Sequence, residues 1–203
     1  MFKYAYPILA AAILFSCKDV EKKSAVMGDT SQNKIAVEPV STAANSILKE
    51  VTTSTGKTVL IEESHPKGQS LSDITIQFKG DSTTRLSLTD KDPISAVFIA
   101  DLNKDKFDEV YIISTAAGSG SYGTVHGFSS NRDLSFSMIY FPVLEEKDLK
   151  EGLLKGYSGH DAYQIEGQEL IRTFAVSTDN KERKSVAYRL RKSETGYVLV
   201  AER

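Results

Sequence analysis

The sequence predicts an all-β fold, mainly an antiparallel β-sandwich with one short helix, preceded by a disordered tether. Three observations carry this expectation. After Lys57, short runs of β-branched, aliphatic and aromatic residues recur, each closed by turn residues at spacings of roughly 8–12 positions. Two of these runs, Ile94–Ala100 (ISAVFIA) and Glu109–Ser114 (EVYIIS), are apolar on both faces, as strands buried between two layers are. Only one stretch changes to a helical period, which is too little helix for an alternating α/β fold.

Taken in order, Thr58–Glu62 (TVLIE) is the first predicted strand, and the HPKGQS stretch closes it. Asp73–Phe78 (DITIQF) alternates, with Ile74, Ile76 and Phe78 on one face, and ends at Lys79-Gly80-Asp81. Arg85–Leu88 follows, then the two central runs, then Thr124–Ser129 and Ser135–Phe141. Pro142–Leu154 is proline-led and charged, with Leu144, Leu149, Leu153 and Leu154 placed for a short helix. Tyr163–Glu166, Glu169–Val176, Ser185–Lys192 and Tyr197–Ala201 complete the strands, and Glu166-Gly167-Gln168 reads as a hairpin turn.

The N-terminal part differs in kind. Lys3 precedes an apolar core, Ile8–Phe15 (ILAAAILF), too short to span a bilayer and read as a secretion signal. It ends Leu14-Phe15-Ser16-Cys17, which resembles a bacterial lipobox, so residues 1–16 are expected to be a lipoprotein signal peptide and Cys17 the lipidated residue. Cys17 is also the only cysteine, so no intramolecular disulfide can form, and acylation (palmitate, for example) removes a free thiol from an exported protein. Lys18 is not the aspartate associated with inner-membrane retention, which favours an outer-membrane, periplasmic or surface-facing envelope location. From Cys17 to Phe78 there is no aromatic residue, and residues 17–57 are expected to be a lipidated, largely disordered tether, with a turn or two of helix around Ala43–Val51. Residues 58–203 are then one domain. Removing residues 1–16 takes away Lys3 and no acid. That leaves 24 Lys and Arg against 27 Asp and Glu, a net charge near −3 that does not suit a nucleic-acid partner.

Three segments could carry chemistry. Asp101-Leu-Asn103-Lys-Asp105-Lys-Phe107-Asp108-Glu109 places oxygen donors at alternate positions, as a calcium loop does. Lys106 stands where such a loop wants glycine, and Asp, Asn and Lys are ordinary turn formers. The segment therefore reads first as a solvated hairpin turn with no metal, and second as a calcium site of Asp101, Asn103, Asp105 and Glu109. Ala116–Gly123 holds three glycines within six residues, with hydroxyls from Ser119, Ser121 and Tyr122. It is neither a phosphate-binding loop nor a dinucleotide fingerprint. It reads either as a plain flexible hairpin loop or as a compact set of hydrogen-bond donors suited to an acceptor-lined cleft. Gly156–Asp161 (GYSGHD) suggests a His160–Asp161 pair for Ser119 or Ser121, but a local turn is the preferred reading, and His65, His126 and His160 do not cluster as zinc ligands would.

The run from Asp101 to Pro142, with GYSGHDAY (156–163) and YRLRKSETGYVLV (188–200), resembles the periplasmic inhibitors of invertebrate-type (I-type) lysozyme over residues 58–203. The resemblance implies a β-sandwich, no enzymatic activity, no cofactor, a lysozyme partner and a homodimer. It implies that Ser119-Gly120-Ser121-Tyr122 is the lysozyme-binding loop, with Ser119 and Tyr122 making the contacts. Lysozymes cleave with one protonated and one ionised carboxyl, and both accept hydrogen bonds from such a loop. The alternatives are a non-catalytic envelope lipoprotein that binds a glycan or a protein, calcium-stabilised if the Asp101–Glu109 loop holds a metal, and a hydrolase using Ser119 or Ser121 with His160 and Asp161.

Overall fold

A computed structural model describes residues 40–41, 46–66, 68–177 and 181–202. The leader, Cys17 and most of the expected tether lie outside the described residues. The first sheet contains β1 (Val40–Ser41), β2 (Ser46–Thr52), β3 (Thr58–Ser64), β4 (Ser72–Phe78) and β5 (Asp81–Lys91), antiparallel and in chain order. The second contains β6 (Ile94–Ala100), β7 (Glu109–Thr115), β8 (Gly123–Ser130), β9 (Phe136–Tyr140), β10 (Ala162–Glu166), β11 (Glu169–Ala175), β12 (Arg183–Ser193) and β13 (Gly196–Glu202). Helix α1 (Glu146–Lys150) precedes β10. The order of the second sheet is β10-β11-β12-β13-β9-β8-β7-β6. Its one parallel pair is β13 with β9, where Tyr197 faces Ile139.

Side-chain alternation sends β7 residues into two cores. Val110 and Ile112 pack with Val51, Val59, Ile61, Ile74, Ile76 and Phe78 of the first sheet. Tyr111 and Ile113 pack with Leu170, Phe174, Val186, Tyr188 and Leu199. The second sheet therefore folds back on itself, with β10–β13 covering the face of β6–β8 that the first sheet leaves open. β10 reaches β6, which brings the sheet close to a closed barrel. The expected both-face burial of the runs around Val97 and Ile112 follows from this layering.

Two expectations are corrected. The tether does not extend to residue 57, nor is Ala43–Val51 helical where it is described. Ser46–Thr52 pairs along its whole length with Thr58–Ser64, and Val51 is buried in the core. The helix shrinks from Pro142–Leu154 to Glu146–Lys150. A Glu145/Asp148 capping box starts it, and it buries no residue, so no core contact extends it; Gly152 follows with φ +80. Leu153 and Leu154 reach the core from outside the helix.

If β2 is structural, Val51→Asp places an uncompensated charge in the core. Urea unfolding is expected to show a loss of roughly 3–5 kcal/mol; a silent substitution would return the segment to the tether.

Candidate functional site

The loops at the two ends of β7 carry two of the three segments singled out from the sequence. After β7, the Ala116 N–H donates to the Tyr122 carbonyl (2.9 Å) and the Ser121 N–H to the Gly118 carbonyl (3.0 Å), with Ser121 at φ +42. Ser119 is exposed at the tip and Tyr122 is 51% exposed. The Tyr122 ring folds over Gly120: a Cβ there would lie 2.3 Å from a ring carbon.

The GYSGHD segment grips this loop from below. The His160 N–H donates to the Gly120 carbonyl at 2.6 Å, and the Asp161 N–H to the Ser121 carbonyl at 3.3 Å. Gly159 has φ +76, and a Cβ there would sit 2.2 Å from the Gly120 carbonyl oxygen, so only glycine permits the approach. The Asp161 carboxylate accepts from the Gly123 N–H (2.7 Å), the Tyr157 hydroxyl (2.5 Å) and Arg172 (Nε 2.8 Å, Nη2 3.1 Å). The side chains of this ion pair are 0% and 2% exposed. The guanidinium also donates to the Tyr157 hydroxyl (2.7 Å) and lies 4.5 Å from that ring's centroid. Burial alone would lower the Arg172 pKa, but the Asp161 hydrogen bond and neighbouring oxygens outweigh it and raise it. Burial, then the Asp161 hydrogen bond, push the Tyr157 hydroxyl up, so it stays protonated. Tyr163 completes the support through a hydrogen bond to the Gly123 carbonyl.

The hydrolase arrangement is not assembled. Both Asp161 oxygens are engaged by other groups, and His160 enters through its backbone. Among the described residues no hydrogen bond joins its ring to Asp161, Ser119 or Ser121. The other histidines lie elsewhere: His65 stands 3.7 Å from Glu63, and His126 lies 2.9 Å from the Ser114 hydroxyl, with its pKa lowered to about 4 by burial and then by Lys91.

At the start of β7, Asp101, Asp105 and Glu109 bring carboxylate oxygens within 4.8 Å of one another. Asp101 accepts the Asp105 and Lys106 N–H groups, Asn103 accepts that of Asp105, and Asp105 accepts that of Phe107. Lys106 has φ +75, so it takes the left-handed conformation that glycine was expected to be needed for, held there by these bonds. Glu109 is fully buried. Its Oε2 accepts the Leu102 N–H at 2.8 Å, while Oε1 has no hydrogen-bond partner among the described residues. Burial raises its pKa to about 8; the Leu102 bond opposes this, and the charges of Asp101, Asp105 and Asp108 add to it.

Comparison with protein-family models, curated proteins and solved structures gave no match.

Ser119–Tyr122 lie on a loop and His160-Asp161 in a turn, as expected from the sequence. The support from Arg172, Tyr157 and Gly159 has no counterpart in that expectation. One signal was available: Arg172 shares the inward period of Leu170 and Phe174 on β11, where a cation needs a buried anion.

Glu109 gives a pH dependence. The folded chain keeps this proton up to about pH 8, whereas an ordinary glutamate loses it near 4.5. Its contribution to stability is therefore full below pH 4.5 and lost as the pH rises through 8. In a chelating buffer, Glu109→Gln is expected to match the parent in urea unfolding at about pH 5 and to exceed it by more than about 1 kcal/mol near pH 8.5. Parallel profiles would remove the assignment.

Proposed function

We propose that this chain is a proteinaceous inhibitor of lysozyme, I-type favoured, which blocks the active-site cleft with the Ser119–Tyr122 loop. The observation that carries the reading is the pre-set loop: a half-exposed tyrosine and an exposed serine at its tip, on a backbone held by Gly159, His160 and Asp161. A segment fixed before binding loses little conformational freedom on docking, so more of its contact energy appears as affinity. Tyr122 contributes apolar area and a hydroxyl at low entropic cost. A cleft that Gly123 lines is also lined by Met138, Tyr140 and Val143, all largely exposed. Aromatic residues and methionine are what protein interfaces enrich. The loop needs no reactive group, because occupying a cleft that holds two catalytic carboxyls excludes substrate.

The same reading places the protein in the bacterial envelope as a lipoprotein anchored through Cys17, in the outer membrane. No helix among the described residues is long and apolar enough to cross a membrane. Cell fractionation checks the anchor: Cys17→Ala is expected to move the protein from the membrane to the soluble fraction, and an unchanged distribution would rule out lipidation there.

Cell-wall lysis followed by turbidity, with I-, C- and G-type lysozymes tested separately, checks the inhibition. The parent is expected to inhibit the I-type enzyme most strongly. Ser119→Ala and Tyr122→Ala should each weaken inhibition by roughly 1–3 kcal/mol, about 5- to 150-fold. Gly159→Ala should act in the same direction by displacing the loop. If the parent leaves all three enzymes active, or the double variant inhibits as well as the parent, the chain is instead a non-catalytic binding lipoprotein with another ligand.

A further inference from the structure

The turn between β6 and β7 poses an electrostatic problem that the inhibitory loop does not touch. Three carboxylates, those of Asp101, Asp105 and Glu109, converge there within 4.8 Å. One of them belongs to a residue with no exposed surface, and its Oε1 has no hydrogen-bond partner among the described residues. A buried carboxylate oxygen left without a donor costs free energy, and native interiors rarely leave one so. Here the orphan belongs to a carboxylate that faces two others, and its second oxygen is fixed by the Leu102 N–H. A cation seated among the three would supply the missing partner and cancel the repulsion.

We propose that this turn is a calcium site, formed by side-chain oxygens of Asp101, Asn103, Asp105 and Glu109. The spacing adds the Phe107 backbone carbonyl, so that positions one, three, five, seven and nine of the segment all present oxygen, the register of a calcium loop. The donor set selects the ion. All donors are hard oxygens, and neither histidine nor cysteine belongs to the cluster, which disfavours zinc and softer metals. Three carboxylates, an amide and a carbonyl suit the high coordination number of calcium. Magnesium demands a tight octahedron and keeps its waters.

The ion would act on stability. Glu109 opens β7 and Thr115 closes it, so the turn and the Ser119–Tyr122 loop stand about 20 Å apart along one strand. Calcium would stiffen the entry of the most buried strand and leave the recognition loop's contacts alone. The proposal therefore stands or falls independently of lysozyme inhibition.

The test uses the full chain, stripped with a chelator and dialysed. Calorimetric titration with calcium chloride is expected to show one equivalent, with a dissociation constant on the order of 0.1–1 mM. Saturating calcium should raise the thermal midpoint by roughly 2–4 °C over chelator. Magnesium should bind at least tenfold more weakly. Asp105→Asn, at an exposed carboxylate, reduces repulsion in the metal-free chain, so its midpoint in chelator is expected at or above that of the parent, with calcium affinity reduced at least tenfold. Glu109→Gln, which keeps the buried side chain's shape, should likewise lose the calcium-dependent rise in midpoint. No saturable heat up to about 10 mM calcium, an equal response to magnesium, or a parent-like calcium response in both variants would each overturn the assignment.

Discussion

Burial of strand β7 on both faces is the constraint on which the rest depends. Val110 and Ile112 are locked into one core, Tyr111 and Ile113 into the other, and none is more than 3% exposed. A strand held in this way can neither slide nor tilt without opening two cores, because a one-residue slip would exchange its faces. Its ends are therefore fixed points. Both are followed outward by turns that use left-handed backbone at non-glycine residues: Lys104 and Lys106 before the strand, Ser121 after it. Such conformations persist only where the surroundings over-determine them. The Asp and Asn side chains do this at one end, and the His160–Asp161 backbone does it at the other.

Two buried carboxylates then illustrate opposite solutions to one problem. Asp161 is surrounded by donors: a backbone N–H, a phenol and two guanidinium nitrogens. The charge is desolvated but matched, and Arg172 remains a cation. A matched pair of this sort adds little net stability over a well-packed apolar substitute. Its effect is on geometry, because Asp161 can satisfy its partners only with Gly123, Tyr157 and the loop above them in place. Glu109 has one backbone donor and a field of like charges. No cation pairs with it among the described residues, so it can be neutralised by a proton or by a metal ion. The first answer fixes the backbone at Gly123, and the second leaves one buried carboxylate oxygen without a hydrogen-bond partner among the described residues.

Most of the strand pattern was legible in the sequence because it depends on local alternation. Ile94–Ala100 matches a predicted strand residue for residue, and the hairpin around Gly167 pairs Glu166 with Glu169. What escaped depended on distant partners. Ser46–Thr52 lacks aromatics, and its Leu48 and Val51 share a helix-like spacing; only the ladder with β3 and the core under Val51 make it a strand. Pro142–Leu154 carries leucines at helical intervals, but capping holds only five residues in the helix, and Leu153 and Leu154 find the core by another route. The site was half legible. Loop composition identified a set of donors, whereas the pairing of Arg172 with Asp161 joins two strands' worth of chain and left only an inward-facing arginine as its trace.

The glycines of the loop illustrate why composition misleads. Three of them within six residues suggest a flexible segment, yet two have a different use. At Gly120 an added Cβ would strike the Tyr122 ring, and at Gly123 it would come within 2.9 Å of Asp161. Gly159, on the opposing segment, is the matching absence of a side chain. These positions are empty so that two backbones and a ring can close on one another, and the hydrogen bonds of 2.6 and 2.7 Å at Gly120 and Gly123 are possible only at that separation. The glycines that look like freedom in the sequence are thus positions where close packing admits no side chain. Tyr122 stays half in solvent above a backbone that the His160 and Asp161 N–H groups hold.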